Sequence, residues 1–168
     1  MRLLIVRHAD AGDWEAFAKT GKSDDQRPLS KKGVDQMKSA VVGLRQLVPA
    51  ADLIVTSPYV RAMETAEIVR AAYGADVPQA ITDTLEPGRP PVAFETWLRE
   101  LEAHEVVVAV GHEPHLGILA TWLLTGTDDS RVDFKKGGAC LIVFEKRLKR
   151  GSGVLRWLMG PAELKAIG

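Results

Sequence analysis

With 168 residues the chain is long enough for one domain with a substantial core, and no linker-like stretch or change in composition marks a second, so a single domain over 1–168 is expected. Its 22 Lys+Arg balance its 22 Asp+Glu, which excludes a global field that would recruit nucleic acid or an anionic membrane; any preference for anions has to be local. The lone Cys140 excludes an internal disulfide framework and a cysteine-based zinc site, and its apolar setting marks it as a buried, inert thiol.

In chain order, "RLLIVRHADAG" opens with Leu3 to Val6, four aliphatic residues without polar alternation. Such a run reads as a strand covered on both faces. It is too short for a signal sequence, and no stretch approaches the length of a membrane span. A soluble protein of the reducing cytoplasm is expected. A polar loop over about residues 9 to 28 follows, and then "PLSKKGVDQMKSAVVGLRQLV", where Val34, Met37, Val41, Leu44 and Val48 recur at helical spacing behind Ser30 as the cap. Gly33 inside this helix costs about 1 kcal/mol relative to Ala, which implies close packing on a neighbouring backbone.

"ADLIVTSP" is a second buried strand, leading through Ser57 into a helix over about Tyr59 to Tyr73 with Pro58 in its first turn. "PPVAFETWLRELEAH" reads as a third helix. "EVVVAVGHEP" repeats the pattern of strand, polar turn and Pro-started helix, continuing to Leu124. Ala139 to Phe144 and Val154 to Met159, joined by "EKRLKRGSG", form an antiparallel hairpin. The βαβα order implies an α/β fold: a mostly parallel sheet with helices on both faces, a three-layer αβα sandwich, edged by the C-terminal hairpin.

Three apolar strands therefore end in polar clusters: "RHAD" after Val6, "TSPYVRA" after Val55 and "GHEP" after Val110. In open α/β sheets ligands bind at the carboxyl ends of the strands. If these strands are neighbours, Arg7, His8, Arg61 and His112 meet in one crevice, where planar guanidinium forks and helix N-termini suit a phosphate group. Ser57 is read first as a cap, and Trp14 is placed at the mouth of the pocket. Competing patterns fail. "TGKS" at Thr20 to Ser23 lacks the leading glycine and strand of a P-loop, Pro114 interrupts the His112/His115 pair as a metal motif, and the basic turn Lys146 to Arg150 lacks interleaved aromatics for nucleic acid.

The pieces "VRHA", "RPLSKKG", "TSPYVRAMETA" and "VGHEP" together resemble the histidine phosphatase superfamily and, within it, the short SixA-type phosphohistidine phosphatases. Ala9 stands where the superfamily's tripeptide has Gly, a feature of the SixA-like branch. The resemblance implies a phosphoglycerate mutase-like fold and no cofactor or metal. It implies His8 as the nucleophile that forms a covalent phosphohistidine, with Arg7, Arg61 and His112 holding the phosphoryl oxygens. It also implies substrate contacts from Arg27, with Ser57 and Glu86 as further candidates; Asp83 and Glu86 stand where larger members place a proton donor. The chain has little length for a lid, so an open site is expected that admits phosphohistidine on another protein, such as a histidine phosphotransfer domain. Phosphate, sulfate or vanadate would occupy the pocket. The alternatives are a phosphatase for a small phosphomonoester or nucleotide, and a phosphate-sensing or partner-binding module without turnover.

Overall fold

The computed structural model describes all 168 residues. The strands are β1 (Arg2–Arg7), β2 (Leu53–Thr56), β3 (Gln79–Ile81), β4 (Val106–Gly111), β5 (Ala139–Val143) and β6 (Val154–Met159). The helices are α1 (Trp14–Ala18), α2 (Lys31–Leu47), α3 (Val60–Tyr73), α4 (Pro91–Arg99), α5 (His115–Thr125) and α6 (Pro161–Ile167). Single 3-10 turns lie at Asp24–Gln26 and Asp83–Leu85.

The strands form one six-stranded sheet in the order β3-β2-β4-β1-β5-β6. β3, β2, β4 and β1 run parallel, whereas β5 and β6 run antiparallel and close one edge. The aliphatic run of β1 is divided by the pleat, as a strand buried on both faces requires. Leu4 and Val6 pack with Val108, Val110 and Ile54 under α2, α3 and α6, while Leu3 and Ile5 pack with Val107, Ala109 and Val55 under α4 and α5. Each fully buried aliphatic side chain of this kind contributes about 1.5–3 kcal/mol, so slipping β1 by one residue would exchange two packed faces at once. The result is the three-layer sandwich expected from the sequence. No helix is long and apolar enough to cross a membrane.

Local signals explain most boundaries. Ser30 caps α2, its hydroxyl accepting the Gly33 N–H at 3.0 Å. A Cβ on Gly33 would lie 2.0 Å from the Asp10 carbonyl oxygen, so the absence of a side chain lets α2 sit directly on the loop that follows β1. Five features depart from the sequence reading. Pro58 lies outside α3, because Tyr59 takes the cap position in extended backbone. α4 ends at Arg99, and the rest of the expected helix is a series of turns. The polar loop holds the short α1, and β3 and α6 had no counterpart in the reading.

Candidate active site

Strand order places the polar clusters side by side. β4 lies between β2 and β1, and Arg7 pairs in register with Gly111, so the residues that leave the two strands, His8 and His112, are neighbours. Their rings are 5.0 Å apart between centroids. Arg61 enters from the first turn of α3. A cleft of about 590 Å³ is lined by Arg7, His8, Arg61 and His112 together with Arg27, Trp14, Asp24, Glu113 and Lys136. The four residues proposed to converge do meet there, Arg27 joins them, and Trp14 stands at the mouth, 62% exposed.

His8 is buried, and its orientation is fixed from two sides. Its Nδ1 lies 2.7 Å from the Ala9 carbonyl; a carbonyl only accepts, so Nδ1 carries the proton and Nε2 carries the lone pair. The Ala9 N–H in turn donates to Thr65 Oγ1 at 3.1 Å, which ties the strand end to α3. The Nε–H of Arg61 faces His8 Nε2 at 3.3 Å. Burial lowers the His8 pKa from 6.5 to about 4; the bond to Ala9 opposes this, and the charges of Arg61, Arg7 and Arg27 reinforce it. A neutral imidazole whose Nε2 lone pair is engaged only by this long contact from Arg61 is the form able to act as a nucleophile at neutral pH.

The guanidiniums are held in different ways. Arg61 Nη1 donates to the Asp24 carbonyl at 2.8 Å and Nη2 lies 3.1 Å from its carboxylate, while Arg27 Nε reaches the other carboxylate oxygen at 2.8 Å. Asp24 thus bridges two cations. Burial alone would raise its carboxyl pKa, but the hydrogen bond from Arg27 and the charges of Arg61 and Arg27 outweigh this and hold it below the ordinary value. Arg27 Nη1 also donates to the Ala11 carbonyl at 3.1 Å, fixing the arm that carries Trp14. Arg7 has no carboxylate partner; its Nη1 donates to the Phe134 carbonyl, and its Nε is buried without a partner.

His112 is buried too, and burial is the main cause that drives its pKa far down, so it is neutral. Its Nε2 lies 2.8 Å from Ser57 Oγ, and its Nδ1 is buried without a partner. When Ser57 donates to Nε2, the His112 proton sits on Nδ1. Two N–H donors of residues that line the cleft, on Arg7 and His112, are then buried without a protein partner. Leaving a buried donor unmet costs about 1–3 kcal/mol, and an anion bound between them would relieve that cost.

Two candidates do not reach the cleft. Ser57 is fully buried beneath His112, where its hydroxyl sets that ring instead of meeting a ligand. Glu86 is paired with Arg89 at 3.3 Å, as is Asp83, because the 3-10 turn between them buries Leu85 and directs its acidic flanks away. The sequence reading passed over Asp24 and Glu113. Asp24 stands three residues before Arg27, a spacing that suits a pair across one turn. Glu113 lies inside "GHEP", where the sequence by itself shows only a polar turn. No group of three or more His, Cys, Asp or Glu side chains is arranged to hold a metal ion.

Comparison with known proteins agrees with this geometry. Residues 3–86 match the profile of the Histidine phosphatase superfamily (branch 1). An uncharacterised protein of Picosynechococcus sp. is 36% identical over 140 residues, covering 82% of each chain. Phosphohistidine phosphatase SixA of Escherichia coli is 25% identical over 167 residues, 98% of this chain and 97% of that one. The solved structure of the protein histidine phosphatase SixA complexed with tungstate superposes with a TM-score of 0.83 at 24% identity, covering 98% and 99% of the two chains. Membership and fold support phosphatase activity. With its matched segment carrying Arg7, His8 and Arg61 into the same cleft as His112, this chain belongs to the histidine phosphatase superfamily.

Proposed function

We propose that the chain hydrolyses phosphohistidine carried by a partner protein, with His8 as the nucleophile. The observation that carries the proposal is His8 itself: neutral, its proton held on Nδ1 by the Ala9 carbonyl, and its Nε2 lone pair in a cleft lined by guanidiniums. In the first step Nε2 attacks phosphorus in line, the P–N bond to the substrate's imidazole breaks, and phospho-His8 forms. In the second step water attacks phosphorus, releasing inorganic phosphate and restoring His8. Arg7, Arg61, Arg27 and the Nδ1–H of His112 hold the phosphoryl oxygens and offset the charge that they gather in each transition state.

The choice of phosphohistidine over a phosphate ester rests on the leaving group. An alkoxide needs a proton as it departs, but Asp83 and Glu86 are paired with Arg89 outside the cleft, Asp24 is held ionised between Arg27 and Arg61, and both carboxylate oxygens of Glu113 accept backbone N–H groups. The imidazole of phosphohistidine is protonated on its far nitrogen before the bond breaks, so it makes a smaller demand on the protein. The rim is built from α1 and the segment before β5, with no inserted domain, and its exposed Trp14 offers a planar surface to an approaching protein. The likeness to SixA of Escherichia coli over nearly the whole chain favours the same substrate class.

The test compares kcat/KM for a phosphorylated histidine phosphotransfer domain, free phosphohistidine and a panel of phosphomonoesters and nucleotides. The protein-bound phosphohistidine should rank highest. A small phosphomonoester or nucleotide in first place would contradict the proposal, as would tight phosphate binding without turnover of any substrate.

A further inference from the structure

We propose that Glu113 is a positioning residue for Arg7, acting through the backbone of Phe134. The inference rests on the reading of Arg7 as a ligand of the phosphoryl group. Arg61 and Arg27 are aimed by a shared carboxylate, whereas the Phe134 carbonyl is the single protein acceptor of the Arg7 guanidinium. Where that carbonyl stands therefore decides where Arg7 points.

Phe134 lies in the irregular segment before β5, so no sheet or helix ladder fixes it. The segment is pinned downstream, where the Gly137 N–H donates to the His8 carbonyl at 3.1 Å. Upstream it is pinned by Glu113. One carboxylate oxygen accepts the Phe134 N–H at 2.9 Å and the other accepts the Gly117 N–H at 3.3 Å, bracing the segment against the first turns of α5. Gly117 permits the approach: a Cβ there would lie 2.3 Å from the Val132 carbonyl oxygen. Phe134 thus gives its N–H to Glu113 and its carbonyl to Arg7, with its ring buried in the core between them. Glu113 follows His112 directly, so a single turn supplies a phosphoryl donor from one residue and the support of a second donor from the next.

The test is a double-mutant cycle read by the dissociation constant for orthovanadate and by the single-turnover rate with phosphohistidine. Proteins are the wild type, Glu113→Ala, Arg7→Ala and the double variant. Glu113→Ala should weaken vanadate binding and slow turnover by about tenfold, a loss of about 1.4 kcal/mol, while in the Arg7→Ala background the same change should move either quantity by less than about twofold. Glu113→Gln keeps a carbonyl to accept the Phe134 N–H and should recover most of the loss. Equal losses with and without Arg7 would overturn the proposal, as would unchanged vanadate affinity in Glu113→Ala. If Glu113→Ala does not fold, the same cycle is run with Glu113→Asp, whose shorter carboxylate should lose vanadate affinity only where Arg7 is present. Vanadate binding does not depend on the substrate, so a wild type that binds vanadate yet spares phosphohistidine would count against the substrate assignment and leave the coupling test intact.

Discussion

Replacing Arg61 by Lys keeps the charge and removes the fork. Arg61 is 5% exposed, and each of its three nitrogens has a partner: Nε faces His8 at 3.3 Å, Nη1 the Asp24 carbonyl at 2.8 Å and Nη2 the Asp24 carboxylate at 3.1 Å. A lysine ammonium is a single point at the end of a flexible stem; it can reach Asp24 or the phosphoryl group but cannot span Asp24, the substrate and the neighbourhood of His8 together. It also loses the packing of the guanidinium over the Tyr59 ring, 4.9 Å from its centroid. Removing one preorganised donor to a developing oxyanion costs about 10²–10³ in kcat, and because charge is retained the loss for Lys should lie in that range, with a larger loss for Ala. The assay is a rapid-quench single turnover on phosphohistidine, with the melting temperature as the control for folding. An Arg61→Lys enzyme within about threefold of wild type, less than 1 kcal/mol of barrier, would refute the argument that planar geometry matters beyond charge.

Acid should destabilise the fold through the buried imidazoles. His8 ionises at 6.5 when unfolded and at about 4 when folded, so between these values the unfolded chain takes up a proton that the folded chain refuses; stability is complete above about 6.5 and falls as pH drops towards 4. That displacement is about 3 kcal/mol for His8, and His112 and His115 act in the same direction. Urea midpoints between pH 7 and 4 should therefore fall less steeply in His8→Ala than in wild type, and equal slopes would contradict the assignment. Gly33→Ala should destabilise by about 1–3 kcal/mol despite the better helix propensity of Ala, because its Cβ would meet backbone at 2.0 Å; a gain in stability on urea unfolding would show that the Asp10 loop yields freely.

The sequence exposed the parts of this structure that depend on continuous apolar runs and on short chemical signatures. Leu3–Val6, Leu53–Val55 and Val106–Val110 are aliphatic on both faces, and such runs have one stable place, the middle of a covered sheet; the polar residues that end them are then delivered to one edge. Gly33 was legible for a related reason, since a glycine inside a good helix implies a close neighbour. β3 escaped notice because Gln79–Ile81 is a three-residue strand at the opposite edge, half exposed and with little apolar pattern. α1 is a single short turn whose capping by Asp13 is plain only once the loop is folded. Glu86 was named from the place where larger members carry a proton donor; that position in the chain does not say which way a 3-10 turn directs its side chains, and here Glu86 pairs with Arg89. Asp24 and Glu113 were missed for the converse reason: what they hold, Arg61 and Phe134, is distant in the chain and becomes a partner only through the sheet.

The most direct measurement is the trapping of the covalent intermediate. Brief incubation with labelled phosphohistidine, quenching in alkali and peptide mapping should place an acid-labile phosphoryl group on His8, with none in a folded His8→Ala variant. Label on any other residue, or full turnover by His8→Ala, would contradict the account.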